Sequence, residues 1–178
     1  MPRQLILYIA TSLDGYIAQP GDDLSFLNSV QREGEDYGYT EFTSGVDTVI
    51  MGRKTFDWVY KAIAALPHPE KDTYVITHTE RPAMGKTVFY TGDVVQLVQR
   101  LKNETGKNIY CDGGAEIVNV LLKHQLIDEL IISVIPVMLG GGKKLFTDAY
   151  PLQQLKLISA KSFDSGLVQL HYARVSAS

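Results

Sequence analysis

Two spacings of apolar residues alternate along the chain. Nearly continuous apolar runs occur at Leu5 to Thr11, Asp47 to Met51, Thr73 to Thr77, Val88 to Tyr90 and Ile127 to Met138. Runs of this length predict strands, and their lack of polar alternation predicts cover on both faces. Helical spacing intervenes: Val94, Leu97, Val98 and Leu101 follow a capping Asp93, and Ile117, Val118, Leu121 and Leu122 follow a glycine pair. Leu24 to Phe42 predicts helix in part, broken around Gly34 and Gly38. Leu155 to Ala160 and Leu167 to Val175 flank Asp164-Ser165-Gly166, a hairpin signal. The pattern predicts one α/β domain, 1–178, with a mostly parallel sheet closed by an antiparallel hairpin.

Two strand-to-helix turns carry the candidate chemistry. Asn108 to Asp112 runs into Gly113-Gly114-Ala115-Glu116-Ile117, and Val49 to Met51 runs into Gly52-Arg53-Lys54-Thr55. Glycine there accepts positive φ and lets another group approach the backbone. The following helix start offers unpaired N–H groups and partial positive charge, which suit an anion such as a pyrophosphate. Neither string is a G-x-G-x-x-G or G-x-x-x-x-G-K-[ST] motif. Arg53 and Lys54 oppose the helix dipole at the second turn, a conflict that either a bound phosphate resolves or both cations meet at small cost by pointing into water. Elsewhere Asp14-Gly15 reads as a turn, and Asp22 or Asp23 caps the segment starting at Leu24. Gly140-Gly141-Gly142 reads as a loop or an anion-binding nest, followed by Lys143 and Lys144.

Composition narrows the classes. Hydrophobic residues make up 45% and charged residues 21% of the 178, the balance of a globular chain. A net charge of -3 without a basic run argues against nucleic acid as a partner. The sole cysteine, Cys111, excludes an internal disulfide and is expected to be a buried structural thiol. No leader or spanning apolar run is apparent, so the expected location is the cytoplasm, without membrane attachment. His68, His78, His124 and His171 lack ligand spacing, and no metal is expected.

Ala10-Thr11-Ser12-Leu13-Asp14-Gly15-Tyr16-Ile17-Ala18, Val49 to Phe56, Asp112 to Ala115, Ile127 to Leu130 and Pro136 to Gly142 occur in order over nearly the whole chain. Together they resemble the dihydrofolate-reductase-like family, in particular the reductase domain of the riboflavin-pathway deaminase-reductase. The resemblance implies a three-layer fold with helices on both sheet faces. It also implies NADPH as cofactor and reduction of a pteridine or a ribosylamino-pyrimidine. Ala10 and Ile17 would hold the nicotinamide carboxamide by their backbone. Gly52, Arg53, Lys54 and Thr55 would meet the adenosine-side phosphates, with Arg53 near the 2′-phosphate. Thr77 and His78 would lie by the adenosine ribose, and Gly113, Gly114, Ala115, Glu116 and Ile117 would wrap the pyrophosphate. Asp23 stands either as the proton-delivering acid or as a helix cap, and Lys143 and Lys144 are candidates for a substrate phosphate. Relatives of the riboflavin type imply a homodimer. An alternative is a non-catalytic nucleotide-binding or interaction protein that keeps the fold without the acid.

Overall fold

The computed structural model describes residues 2–176. Among these, ten strands and four α-helices alternate: β1 (Leu5–Ser12), β2 (Tyr16–Ala18), α1 (Tyr39–Ser44), β3 (Val46–Gly52), α2 (Arg53–Ile63), β4 (Asp72–Ile76), β5 (Thr87–Tyr90), α3 (Val94–Asn103), β6 (Asn108–Gly113), α4 (Ala115–Lys123), β7 (Glu129–Ile135), β8 (Lys143–Lys144), β9 (Leu155–Ser162) and β10 (Val168–Arg174). The main sheet has the order β5-β4-β3-β6-β1-β7-β10-β9. Its first six strands run parallel, and β10 pairs antiparallel with both β7 and β9. The expected mixed sheet with a closing antiparallel hairpin is therefore present.

Both faces of the parallel part are covered, as the continuous apolar runs require. Leu5, Leu7, Ile50, Ile109 and Cys111 pack under Leu97, Val98 and Leu101 of α3 and Val118, Leu121 and Leu122 of α4. On the opposite face Val46, Val49, Tyr8 and Tyr110 meet Tyr39 and Phe42 of α1, while Phe56 of α2 packs on Met51, Val75 and Phe89. Burial of one such aliphatic side chain contributes roughly 1.5–3 kcal/mol. Asp93 caps α3 as its sequence position predicts, accepting the N–H groups of Val95 at 2.7 Å and Gln96 at 3.3 Å.

The segment after the first loop is helical in part and broken at its two glycines, as expected. Leu24 to Phe42 holds a 3₁₀ helix at Ser25–Val30 and then only the six-residue α1; Gly34 and Gly38 both take positive φ between them. The glycine-rich loop before Lys143 is anchored as well. β8 pairs with β2 in a separate two-stranded ribbon, and Leu145 donates its N–H to the Gly15 carbonyl at 2.9 Å. A Cβ on Gly142 would strike the Ala18 carbonyl, so only glycine lets the two loops lie this close.

Candidate active site

The carboxyl ends of the parallel strands share one edge, where open α/β sheets bind ligands. Register brings Gly52 beside Ile76 of β4 and Met51 beside Gly113 of β6. The two glycine turns are therefore neighbours: a Cβ on Gly52 would sit 3.5 Å from the Gly114 nitrogen and 3.3 Å from Cδ1 of Ile117. Gly113 has φ of +93°, a conformation that favours glycine, and the Gly113–Gly114 peptide is cis. Gly52 and Gly114 are the N-cap residues of α2 and α4, and among the described residues no side chain caps either helix. Two sets of unpaired N–H groups thus open side by side, each favouring a nearby anion by about 0.3–1 kcal/mol.

Side chains divide the proposed cofactor residues into three kinds. Ala10, Ile17, Lys54, Thr55 and Gly114 line a cleft of about 330 Å³. Ala115 and Ile117 are buried at the α4 start and can offer only backbone, while Glu116 points to the exposed side. Thr77 is buried and its hydroxyl accepts the Thr79 N–H at 3.2 Å, which closes the turn after β4 and leaves His78 exposed.

Arg53 has a partner that its spacing allowed. Its guanidinium meets Asp57 at 3.1 Å, and Arg81 meets the other oxygen of the same carboxylate at 2.9 Å. The three side chains are 36–41% exposed, so the pairs are screened and weak. Their sum is one positive charge at the mouth of the α2 start. Arg81, whose guanidinium carbon lies 5.2 Å from the centre of the Phe89 ring, was not legible from the motif.

The rest of the cleft is apolar and aromatic, with Tyr8, Leu24, Leu27, Tyr39 and the 46%-exposed Trp58 among its walls. Asp23 is not one of them. Its carboxylate accepts the Ser25 N–H at 2.8 Å in an exposed position, a local turn one residue ahead of Leu24, which is the N-cap of the 3₁₀ helix, so the expected helix cap is not formed; the Ser25 N–H and hydroxyl hold the Asp23 pKa below the usual value. The carboxylates that line the cleft are Asp22 and Asp112. Asp112 accepts the Tyr110 hydroxyl at 2.9 Å and lies 3.3 Å from Nε2 of His68, whose side chain is only 9% exposed. Burial, and secondarily the Asp112 charge, pushes Tyr39 up to about 12 and raises Tyr110 well above its ordinary value, so both phenols keep their protons at neutral pH. No spacing rule joins His68 to Asp112, which are 44 residues apart. Of the two lysines after the glycine run, Lys143 lines the cleft and Lys144 is exposed. Among the described residues no group of three or more His, Cys, Asp or Glu is placed to hold a metal, and no helix is long and apolar enough to cross a membrane.

A six-stranded parallel sheet with a C-terminal antiparallel pair, and paired glycine turns beside a cleft at the strand ends, define the dihydrofolate-reductase-like class. The sequence matches the RibD C-terminal domain over residues 3–169, and the chain belongs to that family. It is 41% identical to the uncharacterised protein YwjB of Bacillus subtilis (strain 168), over 98% of this chain and 99% of that one. A putative riboflavin biosynthesis protein from Shewanella sp. PV-4 is similar in structure, with a TM-score of 0.88 and 32% identity over 99% of this chain and 100% of that one. Dihydrofolate reductase from Enterococcus faecalis, solved with NADP(H), shares the fold at a TM-score of 0.68 and 16% identity, over 97% of each chain. The family supports an oxidoreductase in general.

Proposed function

We infer that the protein is an NADPH-dependent reductase of a small heterocycle, a pteridine or ribosylamino-pyrimidine-like molecule. The observation that carries this is the meeting of two uncapped helix starts at Gly52 and Gly114 beside an apolar cleft. The enterococcal reductase of the same fold is named as an NADP(H) complex, which supports the cofactor.

The residues present fit the dinucleotide. Backbone N–H groups of α2 and α4 would hold its phosphates, with Arg53 and Arg81 at the 2′-phosphate. The backbone of Ala10 and Ile17 would hold the nicotinamide. The cofactor supplies hydride when bound; the protein's part is orientation and exclusion of water. Reduction of a C=N bond also needs a proton. Asp112 with His68 is the candidate to hold it, since both phenols nearby resist ionisation and Asp23 does not line the cleft. Asp112→Asn is expected to lower kcat about 100-fold or more while NADPH affinity stays within about twofold. Unchanged kcat would remove Asp112 from the mechanism.

The non-catalytic alternative draws on loss of the family acid near Ser25, and Asp23 beside it has its carboxylate bonded to the Ser25 N–H. Retained NADPH binding without turnover of any pteridine or aminopyrimidine would favour it. A homodimer is also proposed. The edge strand β9 exposes Leu155, Leu157 and Ile158, and an unpaired apolar edge favours pairing with a second copy. Light scattering of Leu157→Lys against the parent protein tests it; a parent that is already monomeric at working concentration would overturn it.

A further inference from the structure

We propose that the outer extension of the cleft receives the uncharged or cationic end of a substrate and rejects phosphate and carboxylate tails. The proposal rests on the reductase reading and names the substrate class for that same site. A second, open groove of about 860 Å³ shares the walls Tyr8, Ala10, Leu27 and Tyr39 with the cleft, so anything too long for the cleft continues into it.

The two parts differ in charge. The inner cleft has Lys54 and Lys143 against Asp22 and Asp112, a balanced set. The groove has Glu33, Glu35 and Asp36 against Arg32 alone, a net of two negative charges. Arg32 is also turned onto its own loop: one guanidinium nitrogen, Nη1, donates to the carbonyls of Gln31 at 2.9 Å and Ser29 at 3.2 Å. Glu35 and Asp36 are likewise held onto the loop by the backbone N–H groups of Tyr37, Gly38 and Thr40, so both signs are fixed at the rim and its net stays at two negative charges. Hydrogen bonding to Thr40 and Gly38 holds the Asp36 pKa below the usual carboxylate value. Beneath this rim the groove is floored by Val30, Ile135 and Leu167. An anionic tail would lose its hydration there and meet like charge, whereas an aromatic or hydroxylated tail would only bury surface.

The test compares matched ligands by equilibrium binding to the protein saturated with NADP⁺. One pair is a dihydropteridine with and without its benzoylglutamate tail. The other is a ribosylaminopyrimidine with and without its 5′-phosphate. At low salt the tail-less member of each pair is expected to bind about tenfold tighter, a gap that narrows at about 0.5 M salt. Glu33→Lys is the informative variant, because Glu33 is exposed at the rim of the groove. It is expected to improve the tailed ligands about fivefold or more, with little change for the tail-less ones. Equal or tighter binding of the tailed ligands by the parent protein would overturn the proposal. If Lys143→Gln then abolished that binding, the tail would belong to Lys143. Binding of neither member of either pair would overturn it too. Failure of the reductase reading is seen separately, as absence of NADP⁺ binding.

Discussion

The carboxylate of Asp14 accepts the backbone N–H of Gly140 at 2.8 Å and that of Leu139 at 3.1 Å, across 126 and 125 residues of sequence. It ties the first loop, which brings Ile17 and Ala18 to the cleft, to the glycine loop that brings Lys143. The Ser12 hydroxyl, then the Gly140 N–H, lowers the Asp14 pKa to about 2. A depressed folded-state pKa means that the latch is present above the ordinary carboxylate value and is lost only as pH falls through about 2. It is therefore closed throughout the neutral range.

Asp14→Asn places an amide where two N–H groups need acceptors. NADPH affinity is expected to fall several-fold in stopped-flow release measurements, with the far-ultraviolet spectrum unchanged. Unaltered release would reduce the Asp14 contacts to a local turn.

Arg53, Asp57 and Arg81 make a separate prediction about cofactor choice. If Arg81 turns from Asp57 to the 2′-phosphate as proposed, Arg81→Gln is expected to weaken NADPH about tenfold and leave NADH nearly untouched. Asp57→Asn removes the anion between the two guanidiniums and should tighten NADPH. Parallel losses for both nucleotides would place the 2′-phosphate elsewhere.

Cys111 is fully buried, and burial pushes its thiol up to about 12 from an ordinary 9.0. Burial also raises Tyr39 and Tyr110 above their ordinary 10.0. Each group favours its protonated form when folded, so its stabilising contribution is complete below the unfolded values and is lost as pH rises from about 9 toward 12. The urea midpoint should fall between pH 8 and pH 11 (about one-tenth of it or more), and a thiol reagent at pH 8 should label Cys111 only after unfolding. Rapid labelling of the native protein would contradict this burial.

Leu121 packs between the sheet and α3 without exposure. Leu121→Ala is expected to cost about 2–5 kcal/mol in chemical denaturation, because the surrounding helices and strands close the cavity only in part. A loss below about 1 kcal/mol would mean that α4 is free to collapse into the space.

The strand runs and both glycine turns were legible because their signals are local. Leu5 to Thr11 has no polar alternation, and Gly113-Gly114 sits directly between a strand and a helical period. Asp57 could have been paired with Arg53 from its i,i+4 spacing, but its second partner, Arg81, lies 24 residues beyond it. Asp112 and His68 meet only through the sheet order, which places β6 between β1 and β3. The β2–β8 ribbon was hidden for another reason: strands of three and two residues are too short to show a period. Asp23 is acid or helix cap by sequence, but the helix starts one residue later than that reading needs: Leu24 is the N-cap, and Asp23 only closes a turn onto the Ser25 N–H.

The proposed NADPH site joins the paired helix starts to the flanking arginines. Trp58 is the sole tryptophan and lines the cleft, so its emission reports occupancy directly. The measurement is a titration of that emission with NADPH and, separately, NADH. Saturable quenching at low-micromolar NADPH, with NADH at least about tenfold weaker, is the predicted result. No quenching by either nucleotide up to millimolar concentration would contradict the account.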